Sequence, residues 1–234
     1  PHLAAPRPRV GFLQEATRWW DRWLKNIDNG IDREPMLHLW VQESVIPAPD
    51  YDHRPGYWTS ADQWPPKGNR EQIYYINPEG LGRVAEKSAR LHVSSPTALG
   101  ATAGEWMPLG VGPEMPLDQR MDDGGSLTFD STPLEEPLTI CGSPLVRLVV
   151  TSSTPVAQIV VRLNDVFPDG RATRITYGVL NLTHRNGHEH PEPLEPGVSY
   201  HVHIELNVIA QIIRRGHRVR LSISTGCWPM RIDT

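Results

Sequence analysis

Several things are scarce in this 234-residue sequence, and each scarcity removes a class of function. It has no excess of positive charge: 23 Lys and Arg stand against 27 Asp and Glu, a formal net charge of −4. A nucleic-acid backbone is gripped by a basic surface, so this balance argues against a nucleic-acid partner. No apolar run reaches the roughly 18 residues of a membrane span, and no signal peptide is visible. There are two cysteines, Cys141 and Cys227, without the spacing of a disulfide framework. They read as buried free thiols, which fits a reducing compartment and a cytoplasmic location. A G-x-S-x-G nucleophile elbow, a glycine-rich phosphate loop and a dinucleotide fingerprint are all missing. By its own residues the chain is not a self-contained enzyme of a recognisable kind, and it calls for no cofactor.

What the sequence has in quantity is proline, 23 residues against an average usage of about 5%. With 19 glycines these mean many turns, which suits an all-β domain better than a helix bundle. Hydrophobic residues make up 38% and charged residues 21%, ordinary values for a chain with a real core. Three β-branched runs at 146–150, 158–164 and 173–182 are parted by Ser152–Pro155 and by Phe167-Pro168-Asp169-Gly170. The pattern predicts an antiparallel meander. In 198–206, Val198, Tyr200, Val202, Ile204 and Leu206 share one face, and Ser199, His201, His203 and Glu205 the other. Val219, Leu221 and Ile223 alternate again. Further short strands are expected at 36–42, 73–76, 127–130 and 138–141, with brief pairing at 91–93. About eight strands with regular turn signals predict a two-sheet sandwich of jelly-roll type, a mainly β fold. Residues 43–70 read as irregular, anchored by Tyr57-Trp58 and Trp64-Pro65-Pro66.

One helix is convincing, at about 10–27. Phe12, Leu13, Ala16, Trp20, Trp23, Leu24 and Ile27 recur at three- and four-residue steps, while Glu15, Arg18, Arg22 and Lys25 fall largely opposite. Asn29-Gly30 is a stop signal. Trp19, Trp20 and Trp23 are a large apolar load for so short an element, which must pack on something big. The segment 104–120 is rich in Gly and Pro yet carries Trp106, Met107, Leu109, Val111, Met115 and Leu117, and is expected to lie against another surface.

Candidate chemistry is thin. His184, His188 and His190 cluster without a zinc pattern and read as a solvated loop. His201 and His203 could both reach one ion, with Glu205 on the same face, but an exposed polar face explains them. Asp165 and Asp169 bracket D-V-F-P-D-G and read as turn residues with too few oxygen ligands for Ca²⁺, and Asp122-Asp123-Gly124 reads the same way. No metal site is expected.

Three stretches taken together resemble one family. They are GFLQEATRWWDRWLKNIDNG, the run from SLTFDSTPLEEPL through NLTHR, and EPGVSYHVHIELNVIAQIIRRGHRVRLSISTGCWP. The first is similar to the segment after the catalytic domain of the X-prolyl dipeptidyl-peptidase and cocaine-esterase family of serine hydrolases. The other two resemble that family's C-terminal jelly roll, of galactose-binding-like type. The resemblance covers nearly the whole chain, with least definition at 43–105. It implies a parent with an α/β-hydrolase domain and a Ser-Asp-His triad upstream of Pro1, acting on esters, amides or X-Pro peptides. His2 would lie a few residues past the triad histidine and has no catalytic role. Residues 1–30 would then be the terminal helix of that absent domain, and 31–234 a jelly roll truncated at its C-terminal end. The chain starts at Pro1 and stops soon after a strand, which reads as a fragment. The partner is the catalytic domain of the same protein, through which the substrate is met; an oligomer of like chains stays open. Trp106 and Leu117 are expected to wall the substrate pocket. The alternative is a stand-alone carbohydrate-binding jelly roll.

Overall fold

The computed structural model describes residues 8–104 and 115–228. Twelve strands occur among them: β1 Leu37–Gln42, β2 Gly56–Ala61, β3 Tyr75–Asn77, β4 Gly80–Gly82, β5 Leu127–Asp130, β6 Leu138–Gly142, β7 Leu145–Thr151, β8 Gln158–Val166, β9 Ala172–Asn181, β10 Ser199–Glu205, β11 Ile209–Ile213 and β12 Arg218–Ser224. Helix α1 is Phe12–Lys25 and the one-turn helix α2 is Arg120–Asp123.

One sheet has the order β5-β12-β8-β9. The other is assembled from β2-β1-β11-β6 and the β10-β7 pair. β7 pairs with β10 from Thr151↔Ser199 to Leu145↔Glu205, and β6 with β11 from Gly142↔Ile209 to Leu138↔Ile213. Between these ladders Leu206, Asn207 and Val208 stand opposite Ser143 and Pro144, so the break is one extra residue in an otherwise continuous pair. Pro144 has no N–H to give, but its carbonyl still accepts from Leu206 N–H at 2.9 Å. The two layers enclose a core of Phe129, Ile159, Val161, Leu163, Val202, Ile204, Leu206, Ile213, Val219, Leu221 and Ile223, with Val146, Leu148 and Val150 packed against it. This is the predicted mainly β sandwich. Near one margin β9 crosses close to the end of β10. A Cβ on Gly178 would lie 2.7 Å from the Glu205 carbonyl oxygen, so only glycine permits the approach. There Asn207 N–H donates to Tyr177 O at 3.0 Å and Thr176 Oγ1 donates to Asn207 O at 2.7 Å.

The three-strand meander needs correcting. β8 and β9 form a hairpin, but β7 lies in the opposite sheet. Residues 152–157 are too long for a two-residue hairpin and carry the chain across the core, so that β7 and β8 present apolar faces to each other. Residues 43–70, read as irregular, contain β2, paired with β1 over six residues and bringing Trp58 opposite Trp40. No strand forms at 91–93.

The outer face of β8 is also buried, and by polar groups. Residues 95–104 and 115–126 cross that face. Arg162, fully buried, donates to Gln119 Oε1 at 2.8 Å, Ser126 Oγ at 2.8 Å and Asp123 Oδ1 at 3.2 Å. Asp123 also accepts from Ser222 Oγ at 2.7 Å and from Arg220 at 2.9 Å. Arg220 grips Asp130 through two nitrogens at 2.6 and 2.7 Å, which holds its guanidinium well above the ordinary range. Asp122 accepts from the N–H groups of Gly100 and Thr102 and from Thr102 Oγ1. Asp122 and Asp123 are therefore not turn residues. They fasten the overlying segments to the sheet.

Asp165 is corrected in the same way. The strand runs two residues beyond the expected end, and Asp165 pairs with Thr173 inside it. Its buried carboxylate accepts from Ser44 Oγ, in the loop after β1, at 2.5 Å. It also accepts from His217 Nδ1, before β12, at 2.7 Å, which puts the imidazole proton on Nδ1. One carboxylate thus closes an end of the sandwich by holding three distant segments. Asp169 is the turn residue that D-V-F-P-D-G predicts: exposed, accepting from Arg171 N–H at 3.1 Å and held below the ordinary carboxylate range by its hydrogen bond with the Arg171 side chain. The two aspartates of one motif should therefore behave differently. Asp165→Ala strands the buried His217 imidazole and leaves Ser44 Oγ only its weaker acceptor, Ile212 O at 3.2 Å; it is expected to cost about 3 kcal/mol, a fall in Tm on the order of 10 °C. Asp169→Ala should leave the melting curve in place. Equal melting of the two variants would contradict the assigned role of Asp165.

Candidate functional site

Helix α1 is the most unusual surface of the molecule. At 100° per residue, Phe12, Leu13, Ala16, Trp19, Trp20, Trp23 and Leu24 fall within an arc of about 140°, and Glu15, Arg18, Arg22 and Lys25 lie largely opposite. An amphipathic helix ordinarily buries the apolar arc against its own body. Here the attachment is inverted. The polar side faces the chain: Arg18 pairs with Glu34, Arg22 Nη2 lies 2.9 Å from Asp32, and Asn29 Nδ2 donates to Arg18 O at 2.7 Å. No residue of α1 is buried. Trp19, Trp20 and Trp23 are 50, 54 and 54% exposed, and Val10, Phe12, Leu13, Leu24 and Ile27 are exposed with them. The Trp19 and Trp23 rings pack on each other, centroids 5.7 Å apart, and the Arg22 guanidinium lies over the Trp23 ring.

Aromatic side chains carry about 150–250 Å² each. With the aliphatic neighbours, half exposed, the patch is on the order of 800 Å², the share one partner contributes to a standard protein–protein interface. It exceeds the few hundred Å² that soluble monomers usually leave open. The ion pairs on the other side fix its orientation. Asn26, left-handed at φ 55°, ends the helix and lets the chain turn so that Asp32 and Glu34 come back beneath it.

The second expected surface is 104–120. Trp106 lies outside the described residues, as does His2. Leu117 is described and is 39% exposed. Its backbone is pinned: Leu117 N–H donates to Thr102 O at 3.0 Å, and Gln119 Nε2 to Leu117 O at 2.8 Å. Gln119 is the residue that binds Arg162, so the buried clamp on β8 also positions Leu117. Met115 N–H donates to Pro49 O at 2.9 Å, tying the segment to the loop after β1. Sequence reasoning did not single out Arg162 or Gln119. An arginine between two valines and a leucine in a central strand was the one available signal.

The other polar candidates hold no catalytic constellation among the described residues. His201, His203 and Glu205 lie on the outward face of β10 as expected. Their cross-strand neighbours are Val149, Arg147 and Leu145, and a cation opposite His203 disfavours a metal there. Among the described residues no group of three or more His, Cys, Asp or Glu is placed to hold a metal ion. Ser44 is hydrogen-bonded to Asp165 and not to His217, so this trio lacks the nucleophile–base contact of a triad. Cys227 is buried and Cys141 half-buried, where a buried thiol was expected; both are free, and burial raises both thiols. No helix among the described residues is long and apolar enough to cross a membrane.

Residues 29–233 match the family described as X-Pro dipeptidyl-peptidase C-terminal non-catalytic domain. A Mycobacterium bovis protein named for an inferred serine-esterase activity is 29% identical over 247 residues, covering 96% of this chain and 37% of that protein. Cocaine esterase of a Rhodococcus species is 24% identical over 235 residues, with 93 and 39% covered. The chain thus spans well under half the length of the curated relatives it matches. Among solved structures, an aminopeptidase from a marine-sediment thaumarchaeon superposes with a TM-score of 0.71 at 21% identity, covering 97% of this chain and 40% of that one. A CocE/NonD family hydrolase from Staphylococcus aureus gives 0.67 at 16%, with 95 and 39% covered. These likenesses establish the shared fold, and the family match favours the hydrolase-domain reading over a stand-alone carbohydrate-binding module. The chain is a member of the X-Pro dipeptidyl-peptidase C-terminal non-catalytic domain family.

Proposed function

We propose that this chain is the docking and site-flanking part of a serine hydrolase that cleaves esters, amides or X-Pro peptides. In this reading an α/β-hydrolase domain of the same protein supplies the nucleophile, the general base and the carboxylate that orients it. Residues 1–30 belong structurally to that domain, and 31–234 form the jelly roll. The observation that carries the reading is the inverted attachment of α1, whose ionic face is turned inward and whose tryptophans are turned out. A family match that begins at residue 29, just past the helix, supports the same division. Leu117, held rigidly at the surface, and Trp106 flank the acyl pocket and exclude water from it. The two free cysteines support a cytoplasmic setting.

Three outcomes test this. The chain by itself should turn over neither activated esters nor X-Pro amides; saturable turnover abolished by a serine-directed inhibitor would refute the non-catalytic assignment. In the intact protein, Trp20→Ser with Trp23→Ser should uncouple the domains, seen as two separate melting transitions and faster proteolysis near residue 30. Hydrolysis should fall while the far-ultraviolet dichroism of the isolated chain stays the same. A single unshifted transition would sink the docking role of α1. Leu117→Ala and Trp106→Ala in the intact enzyme should raise KM several-fold or shift acyl preference, with kcat less affected. Unchanged kinetics across several acyl groups would remove these residues from the pocket.

A further inference from the structure

The loop after β9 holds two imidazoles in an arrangement that the hydrolase reading does not use. His184 ends a single 3-10 turn, Leu182–His184, and His188 comes one residue after Gly187. Their Nδ1 atoms face each other at 3.1 Å, with ring centroids 5.1 Å apart and planes inclined by 44°. The loop is tied down on both sides of them. Asn181 Oδ1 caps the turn, accepting from Thr183 N–H at 3.0 Å and Thr183 Oγ1 at 2.9 Å. Glu192 N–H donates to Thr183 O at 2.8 Å, and Asn186 Nδ2 to Glu192 Oε2 at 2.9 Å. Gly187 N–H donates to His184 O at 3.0 Å, and its φ of 139° is a conformation that favours glycine. That residue reverses the chain and brings His188 back over His184.

We propose that His184 and His188 form a two-imidazole chelate for a borderline divalent transition-metal cation, Cu²⁺ ahead of Zn²⁺. Metal–imidazole bonds are about 2.0–2.1 Å. Two such bonds at 90° put the nitrogens roughly 2.9 Å apart, and at the tetrahedral angle roughly 3.4 Å apart. The observed separation lies between the two. Imidazole donors select Cu²⁺ and Zn²⁺ over the oxygen-seeking Mg²⁺ and Ca²⁺, and the order of divalent affinities favours Cu²⁺. The neighbouring cation does not oppose this. Arg185 is turned away, donating to Leu182 O at 3.1 Å and Glu192 O at 2.6 Å, with its guanidinium over the Tyr200 ring at 4.5 Å. Among the described residues no third His, Cys, Asp or Glu completes the set. Water fills the remaining positions, and the site binds more weakly than a four-ligand structural zinc centre.

The test is titration of the intact, metal-free protein with CuCl₂ and ZnCl₂ by calorimetry, with electron paramagnetic resonance of the Cu²⁺ form. The expected result is one saturable equivalent whose spectrum shows coupling to two nitrogens. His184→Asn or His188→Asn should each weaken it about tenfold or more, because loss of a ligand costs at least what loss of a ligand's supporting partner does. His201→Asn with His203→Asn, at the other exposed histidine pair, should leave it intact. CaCl₂ and MgCl₂ should give no heat. No saturable binding would mean that the pair is an N–H···N contact only, and would overturn the proposal. Binding unaffected by His184→Asn and His188→Asn would do the same. Matched dichroism spectra of the variants separate loss of a ligand from loss of the loop.

Discussion

Strand β8 is buried on both faces, and the rest of the architecture follows from how each face is satisfied. On the inner face Ile159, Val161 and Leu163 meet β10 and β12 residues in an apolar core. On the outer face the sequence puts Arg162 and Asn164, which an uncovered sheet would leave in water. Burying an arginine costs several kcal/mol unless it is paired and its donors are satisfied. That demand recruits Gln119, Asp123 and Ser126, and through them residues 115–126 and, by way of the Thr102 carbonyl, the stretch before residue 105. An apolar residue at 162 could cover the face too, but it would not specify where the overlying segment sits. Arg162 does, because a planar guanidinium accepts partners in fixed directions.

This explains how a segment rich in glycine and proline comes to be ordered around Leu117. Its position is inherited: the sheet orients Arg162, Arg162 orients Gln119, and the Gln119 side chain grips the carbonyls of Thr102 and Leu117. A surface presented to a neighbouring domain must be held in this manner, because a loop free to move loses part of any docking energy to ordering itself. The same logic holds at α1, where salt bridges to Asp32 and Glu34 do for the helix what the Arg162 network does for residues 115–126. In both places polar contacts fix the orientation and leave apolar side chains in view.

The sequence reveals those parts of the structure that depend on local periodicity. The alternation of 198–206, the helix at 12–25 and the turn at Phe167–Gly170 are legible because each is written in adjacent residues. Sheet membership is not: the 146–150 and 158–166 runs are both Val-rich with an internal Arg-Leu, and only the length of 152–157 hints that they part to opposite layers. The strand at 56–61 was hidden by its glycine and by aromatics that suit a loop anchor equally well. The least legible residues are the buried ions. Asp122, Asp123 and Asp165 sit in motifs that ordinarily mean exposed turns, and their partners lie 20 to 121 positions away in the chain. A carboxylate's burial is decided by who arrives to pair with it, and that information is not local.

Charge placement finally bears on why so much apolar surface can stay in view at α1. Exposed tryptophans invite indiscriminate association, and a flat patch would bind any hydrophobic neighbour. Here the arc is bordered by Glu15 on one edge and Asp21 on the other, each paired at 2.7 Å with a cation, Arg18 and Lys25, from the opposite side of the helix. Surface pairs of this kind add little stability. Their value lies in exclusion: a partner that overlaps them must desolvate four charges, whereas one shaped to the arc alone does not. In the docking proposed above, specificity for one apolar groove over other hydrophobic surfaces would be a property of the rim, and affinity would come from the tryptophans.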